Sequence, residues 1–168
     1  MVKSPCMSGA DALNHGVKWI EDVAERSNEI SVNPMNIQRG TIIDRLHRNS
    51  EYRPPWLWSL VEMIRRAHPT IHPNGGKNGD EDQVCRLIIH PTAGGRVRGA
   101  HNCGACDSVV VAAIERYAVS GDLEEFKGLS CSCELAWKEE VLLEQALPVP
   151  LGISKHRRGN LLDRLRSP

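Results

Sequence analysis

Two cysteine pairs, Cys103-Gly-Ala-Cys106 and Cys131-Ser-Cys133, constrain what this chain can fold into more than any other feature. A C-x-x-C segment turns two thiolates onto one ion when the residues between them make a tight turn. Gly104 suits that turn, because glycine adopts positive φ without a Cβ clash. Each pair precedes a segment with helical character. After Cys106 the run Asp107-Ser-Val-Val-Val-Ala-Ala-Ile-Glu-Arg-Tyr places Val110, Ile114 and Tyr117 on one face, with Asp107 or Ser108 near the N-cap. After Cys133 a helix over 134–145 puts Leu135 and Leu142 on one face, with Ser130 or Ser132 available as a cap. Both pairs therefore fall at helix N-termini, where free N–H groups and the helix dipole favour thiolates.

The spacing predicts one tetrahedral Zn2+ held by Cys103, Cys106, Cys131 and Cys133, with His101 as a reserve ligand that would make the site Cys3His. Disulfides would require an oxidising compartment, and Met1-Val-Lys-Ser-Pro carries no apolar signal region. Inert core thiols fit poorly with two pairs at ligand spacing. An iron–sulfur cluster also takes four thiolates, and spacing does not separate it from zinc.

A closed four-thiolate shell leaves no open coordination position, so the default role of such an ion is structural. The zinc nucleobase deaminases combine H-x-E with P-C-x-x-C and a helix. Here Asn102 stands where the proline belongs and no H-x-E precedes it at a suitable distance, so that pattern is not met. There is no phosphate loop and no dinucleotide fingerprint. The expectation from the residues alone is a protein that is not an enzyme.

Apart from the cysteines, the chain of 168 residues reads as an α+β protein, mostly α: a small helical domain carrying a zinc-stapled β-hairpin/helix module. Residues 1–71 form a helical N-terminal part. A helix over 10–26 carries Leu13, Val17, Ile20 and Val23 at helical spacing, interrupted by Gly16. A short helix follows over 41–48, and a third begins with Arg53-Pro-Pro-Trp56-Leu-Trp58, proline in its first turn, and is stopped by Pro69. The Gly-, Asn- and Asp-rich stretch 72–83 reads as a flexible linker. Residues 84–147 make the zinc module. There, 84–90 is the outgoing strand of a hairpin, Pro91-Thr-Ala-Gly-Gly its turn, and 96–101 the returning strand that delivers His101 and Cys103. Residues 148–168 are a basic C-terminal tail.

Charge is balanced, 21 basic against 21 acidic residues, so the global field directs the chain to neither nucleic acid nor membrane. Locally it is uneven. Arg39, Arg45, His47 and Arg48 crowd one segment, Arg96 and Arg98 flank the cysteines, and Arg157 and Arg158 lie in the tail, whereas Glu134, Glu139, Glu140 and Glu144 make the last helix acidic. These basic groups point to a zinc-binding regulatory protein that contacts RNA or DNA mainly through phosphates, using Arg96, Arg98, Arg157 and Arg158. The alternative is a zinc-stapled adaptor that binds a protein partner through Trp56, Trp58 and the acidic helix. No small-molecule substrate is evident. No apolar run reaches the length of about 18 residues that a membrane span requires, which places the chain as soluble and intracellular, cytoplasmic or nuclear.

Overall fold

The computed structural model describes residues 3–5, 7–72, 85–91 and 93–146. Within them the chain is α+β and mostly α, as its periodicity predicts. Helix α1 (Gly9–Ala24) is followed by strand β1 (Glu29–Val32), helices α2 (Ile42–Arg48) and α3 (Leu57–Ile71), and strand β2 (Arg86–Ile89). Helix α4 (Asp107–Ser120), a 3-10 turn (Leu123–Phe126) and helix α5 (Cys133–Ala146) complete the order.

Local chemistry accounts for the helix starts. Ser8 caps α1 by accepting from the Asp11 N–H at 2.9 Å, and its hydroxyl donates back to the Asp11 carboxylate at 2.7 Å. Another first-turn donor, the Ala10 N–H, is met by Glu144 of α5 at 3.0 Å, which ties the two ends of the fold together. Thr41 caps α2 through the Asp44 N–H. Trp56, at the N-cap of α3, offers no side-chain cap, and the Trp58 N–H is instead satisfied by Asn102 Oδ1 at 3.3 Å. Pro69 does not stop α3. The helix runs on to Ile71, which is buried, and the His72 N–H closes it on His68 O.

Leu13 and Ile20 of α1 pack on α3, whose Leu57, Leu60, Val61, Met63 and Ile64 are fully buried. Gly16 is a point of contact there: a Cβ would stand 2.4 Å from Met63 Cε. The core continues through Leu87 and Ile89 of β2, Val110, Ile114 and Tyr117 of α4, and Trp137 and Val141 of α5. A smaller cluster of Met35, Ile37 and Tyr52 sits beneath α2.

The hairpin does not form. Strand β2 pairs in parallel with β1, Glu29 opposite Arg86 and Val32 opposite Ile89, across a connection that contains α2 and α3. The expected return strand is instead a run of turns, with Gly94 N–H on Pro91 O, Gly95 N–H on Ala100 O, and Gly99 N–H on Arg96 O. The four-residue partner strand alternates exposed and buried residues and presents only Ile30 and Val32 inward, too short a pattern to stand out along the chain. In α5 the face that packs is Trp137 and Val141, whereas Leu135 and Leu142 are exposed. The 73–83 portion of the linker, the basic tail 148–168 with Arg157 and Arg158, and Cys6 lie outside the described residues.

Candidate metal centre

The turns after β2 carry the chain to Cys103, α4 begins at Cys106, and α5 begins at Cys133, so three local structures converge on one point. The Sγ atoms of Cys103, Cys106, Cys131 and Cys133 all lie within 4.8 Å of one another, and the four could hold a metal ion. Cys103 is 4.0 Å from Cys106 and 3.7 Å from Cys131, and Cys106 is 3.6 Å from Cys133. A disulfide needs sulfurs about 2 Å apart, so these are four separate thiols.

The surroundings suit negative sulfur. Trp58 Nε1–H donates to Cys133 Sγ at 3.2 Å, and Asn102 Nδ2–H donates to Cys106 Sγ at 3.3 Å. Backbone N–H groups of Ala105 and Cys106 bring the Cys103 thiol down to about 7. Burial raises Cys133 to about 12 and also pushes Cys106 upward. Without a cation the four cannot ionise together in this confined space; a divalent ion would neutralise half of four thiolate charges. The donor set, its convergence and its N–H partners therefore fit a bound metal.

Asn102 and Asp107 hold the site in place, and both are buried. Asp107 is the first residue of α4, next to Cys106 at the N-cap position. Its carboxylate reaches backward, accepting from the Asn102 N–H at 2.7 Å and from the Gly104 N–H, which fixes the cysteine turn. Asn102 joins three parts: the start of α3, Cys106, and Asp107. The sequence does not single out Asn102, because its partner Trp58 is 44 residues away. Arg53 lies alongside, stacked 3.5 Å from the Trp56 ring centroid. Burial lowers its pKa, opposed by the charges of Glu140, Asp107 and Cys133.

His101 stands outside the four-sulfur group, half-buried, with Nδ1 2.9 Å from Gly99 O. Arg98 is not a free cation. Its Nη2 meets Asp44 Oδ1 at 2.8 Å and its Nε donates to Ile37 O at 3.1 Å. Arg96 is exposed. Trp58 is buried against the cysteines and Trp56 is half-buried, its Nε1–H directed to Glu140. No helix of the described residues is long and apolar enough to cross a membrane.

No family model matches the chain, and no solved structure matches it. Among curated proteins it is similar to archaeosine synthase subunit beta of Methanosarcina acetivorans, 31% identical over 86% of this chain and 38% of that protein. It is also similar to archaeosine synthase subunit beta of Thermococcus kodakarensis, 31% identical over 88% of this chain and 42% of that one. An uncharacterized protein of Methanocaldococcus jannaschii is 28% identical over 84% of this chain and 35% of its own length. The chain thus spans about two fifths of the length of the relatives it matches. These relatives overturn the expectation of a non-enzyme, because two of them are named as an enzyme subunit. A closed thiolate shell argues that the ion itself is not catalytic; it carries no information about chemistry done by other groups of the same assembly.

Proposed function

We propose that this chain is a zinc-stapled, RNA-associated module of an enzyme that modifies tRNA, of the archaeosine synthase subunit beta kind. The observation that carries the reading is similarity along 86–88% of the chain to subunits of that name. On this reading the substrate class is a folded polynucleotide, tRNA, rather than a free metabolite. The chain spans about two fifths of those relatives, so this reading makes it one module of a larger catalytic assembly. A companion subunit is the protein partner this reading implies.

Zinc is supported over an iron–sulfur cluster by the sulfur spacing. An ion bound tetrahedrally at about 2.3 Å from each thiolate sets neighbouring sulfurs about 3.8 Å apart; three of the six pairs here stand at 3.6, 3.7 and 4.0 Å and all six within 4.8 Å. A cluster of several irons would hold its thiolates farther apart. When bound, zinc supplies a fixed tetrahedral cross-link between the turn at Cys103, the start of α4 and the start of α5. Trp58 and Asn102 orient the sulfurs and share their charge.

Two measurements test this. Metal analysis of chain purified without added metal should find one zinc per chain and no visible absorption, whereas iron with a visible chromophore would refute the assignment. Titration with a tRNA transcript and with duplex DNA of similar length should show preferential, salt-sensitive binding to the tRNA. Equal or absent binding to both would remove RNA as the substrate class.

A further inference from the structure

The geometry points to a phosphate-binding surface assembled around Asp44, in which Arg39, Arg45, Arg48 and Arg96 contact the RNA backbone and Arg98 positions them. This rests on the RNA reading above and adds where the polynucleotide lies.

Asp44 is the hub. It is buried in α2, and its carboxylate accepts from the Gly40 N–H at 3.0 Å and from Arg98 Nη2 at 2.8 Å, with Arg48 Nη2 at 3.5 Å. The Gly40 N–H and then Arg98 hold its carboxyl below the usual range, so it stays ionised. A second link runs beside it: Ile37 N–H donates to Arg98 O at 2.8 Å while Arg98 Nε donates to Ile37 O at 3.1 Å. These bonds join residues 54 and 61 positions apart and weld the segment 37–48 to the turns at 93–100. Two basic stretches that look separate along the chain thus become one surface.

The charge there is lopsided. Residues 37–53 and 93–101 contain six arginines, Arg39, Arg45, Arg48, Arg53, Arg96 and Arg98, against two acids, Asp44 and Glu51. Arg39, Arg45, Arg48 and Arg96 are exposed. Arg39, Arg45 and Arg96 have no ion-pair partner within 4 Å among the described residues, while Arg48 shares the one carboxylate that Arg98 already holds closely. Elsewhere Lys18, Arg66, Arg116, Lys127 and Lys138 are each paired with an acid at 2.6–2.9 Å. Exposed guanidiniums left without partners in a chain of zero net charge are what a polyanion would neutralise, and their forked donors match phosphate oxygens. Ile42 and Val97 are exposed among these arginines, but the two acids of the segments are Asp44, already held by Arg98, and Glu51, so the excess of cationic charge favours a polyanion over a protein partner.

The test uses the full metal-loaded chain and a tRNA transcript, with binding measured by fluorescence anisotropy at two salt concentrations. The variant R39Q/R45Q/R48Q/R96Q should bind at least about tenfold more weakly at low salt, and its log–log salt slope should flatten by about 3. Its zinc content should match the parent. The corresponding four Arg→Lys changes should retain most of the affinity, since phosphate contacts need charge first. Arg116→Gln with Lys127→Gln, on the α4 side, should bind like the parent. A glutamine quadruple variant with parental affinity and slope would overturn the surface while leaving RNA binding intact. A parent chain that fails to bind the transcript at low salt would instead overturn the RNA reading itself.

Discussion

Asn102 concentrates the residue-scale argument. Its side chain accepts from the first turn of α3 and donates to Cys106 Sγ, so Asn102→Ala strands a buried N–H and removes one donor from a thiolate. The expected cost is about 1–3 kcal/mol, read from denaturant unfolding of the metal-loaded chain. Trp58→Phe keeps the ring but deletes the N–H bonded to Cys133. Metal affinity, measured by competition with a chromogenic chelator, should fall by about tenfold or more, the usual penalty for losing an outer-shell partner. Protons compete for the same sulfurs. Cys133 at about 12 and the upward-shifted Cys106 are thiols at pH 8 and must release protons when metal binds. Cys103, at about 7, adds another proton as pH falls through neutrality. Affinity should therefore rise with pH and fall more steeply below pH 7 than above it, which calorimetry in buffers of different ionisation enthalpy will resolve. The four cysteines were legible in the sequence because ligand spacing is local. Asn102 and Asp107 were not, because asparagine and aspartate before a helix look like ordinary capping residues.

Among the elements, spacing selected the buried side well in two helices: α4 buries Val110, Ile114 and Tyr117, and α1 buries Leu13 and Ile20 while Val17 and Val23 are partly buried. Helix α5 shows where that method stops. Leu135 and Leu142 share one face, Trp137 and Val141 another, and period alone does not choose between them. Packing does, because Trp137 Nε1–H finds Ser59 Oγ at 2.9 Å on α3. Leu135→Glu with Leu142→Glu should change stability by no more than about 0.5 kcal/mol, while Trp137→Ala should cost about 3–5 kcal/mol. Thermal and denaturant unfolding of both variants separate the two faces, and comparable losses would reverse the assignment. The segment 96–101 differs from the expected strand for a related reason: alternation in Arg96-Val-Arg98 mimics a pleat, while the conformation is set by close backbone approach. A Cβ on Gly99 would stand 2.2 Å from Ala93 O, which is backbone and cannot swing aside. Gly99→Ala should therefore destabilise the chain by about 1–3 kcal/mol and, by shifting Arg96 and Arg98, weaken tRNA binding.

For the whole molecule, one apolar core includes residues from both sides of the 73–84 segment, from Leu13 and Leu57 to Leu87, Val110 and Trp137. The metal centre sits where α3, α4 and α5 meet this core. Chelating the ion should therefore lower the melting temperature of the entire chain in one cooperative step rather than release a separate unit, and calorimetry with and without chelator checks this. What the sequence determined by itself was local chemistry: ligand spacing, the helices with strong apolar stripes, the mostly α class, and the uneven placement of charge. These depend on neighbours a few residues apart, and near neighbours are visible along the chain. Tertiary structure alone decided the parallel pairing of β1 with β2, the inward face of α5, the support of the sulfurs by Trp58 and Asn102, and the joining of two arginine segments through Asp44. The strand pairing, the Trp58–Cys133 bond and the Asp44–Arg98 bond join residues 54 to 75 positions apart. Asn102 reaches Cys106 only four residues on but is held by Trp58 44 positions away, and the face of α5 is a choice between two apolar sides. Their energy depends on what the rest of the fold brings alongside.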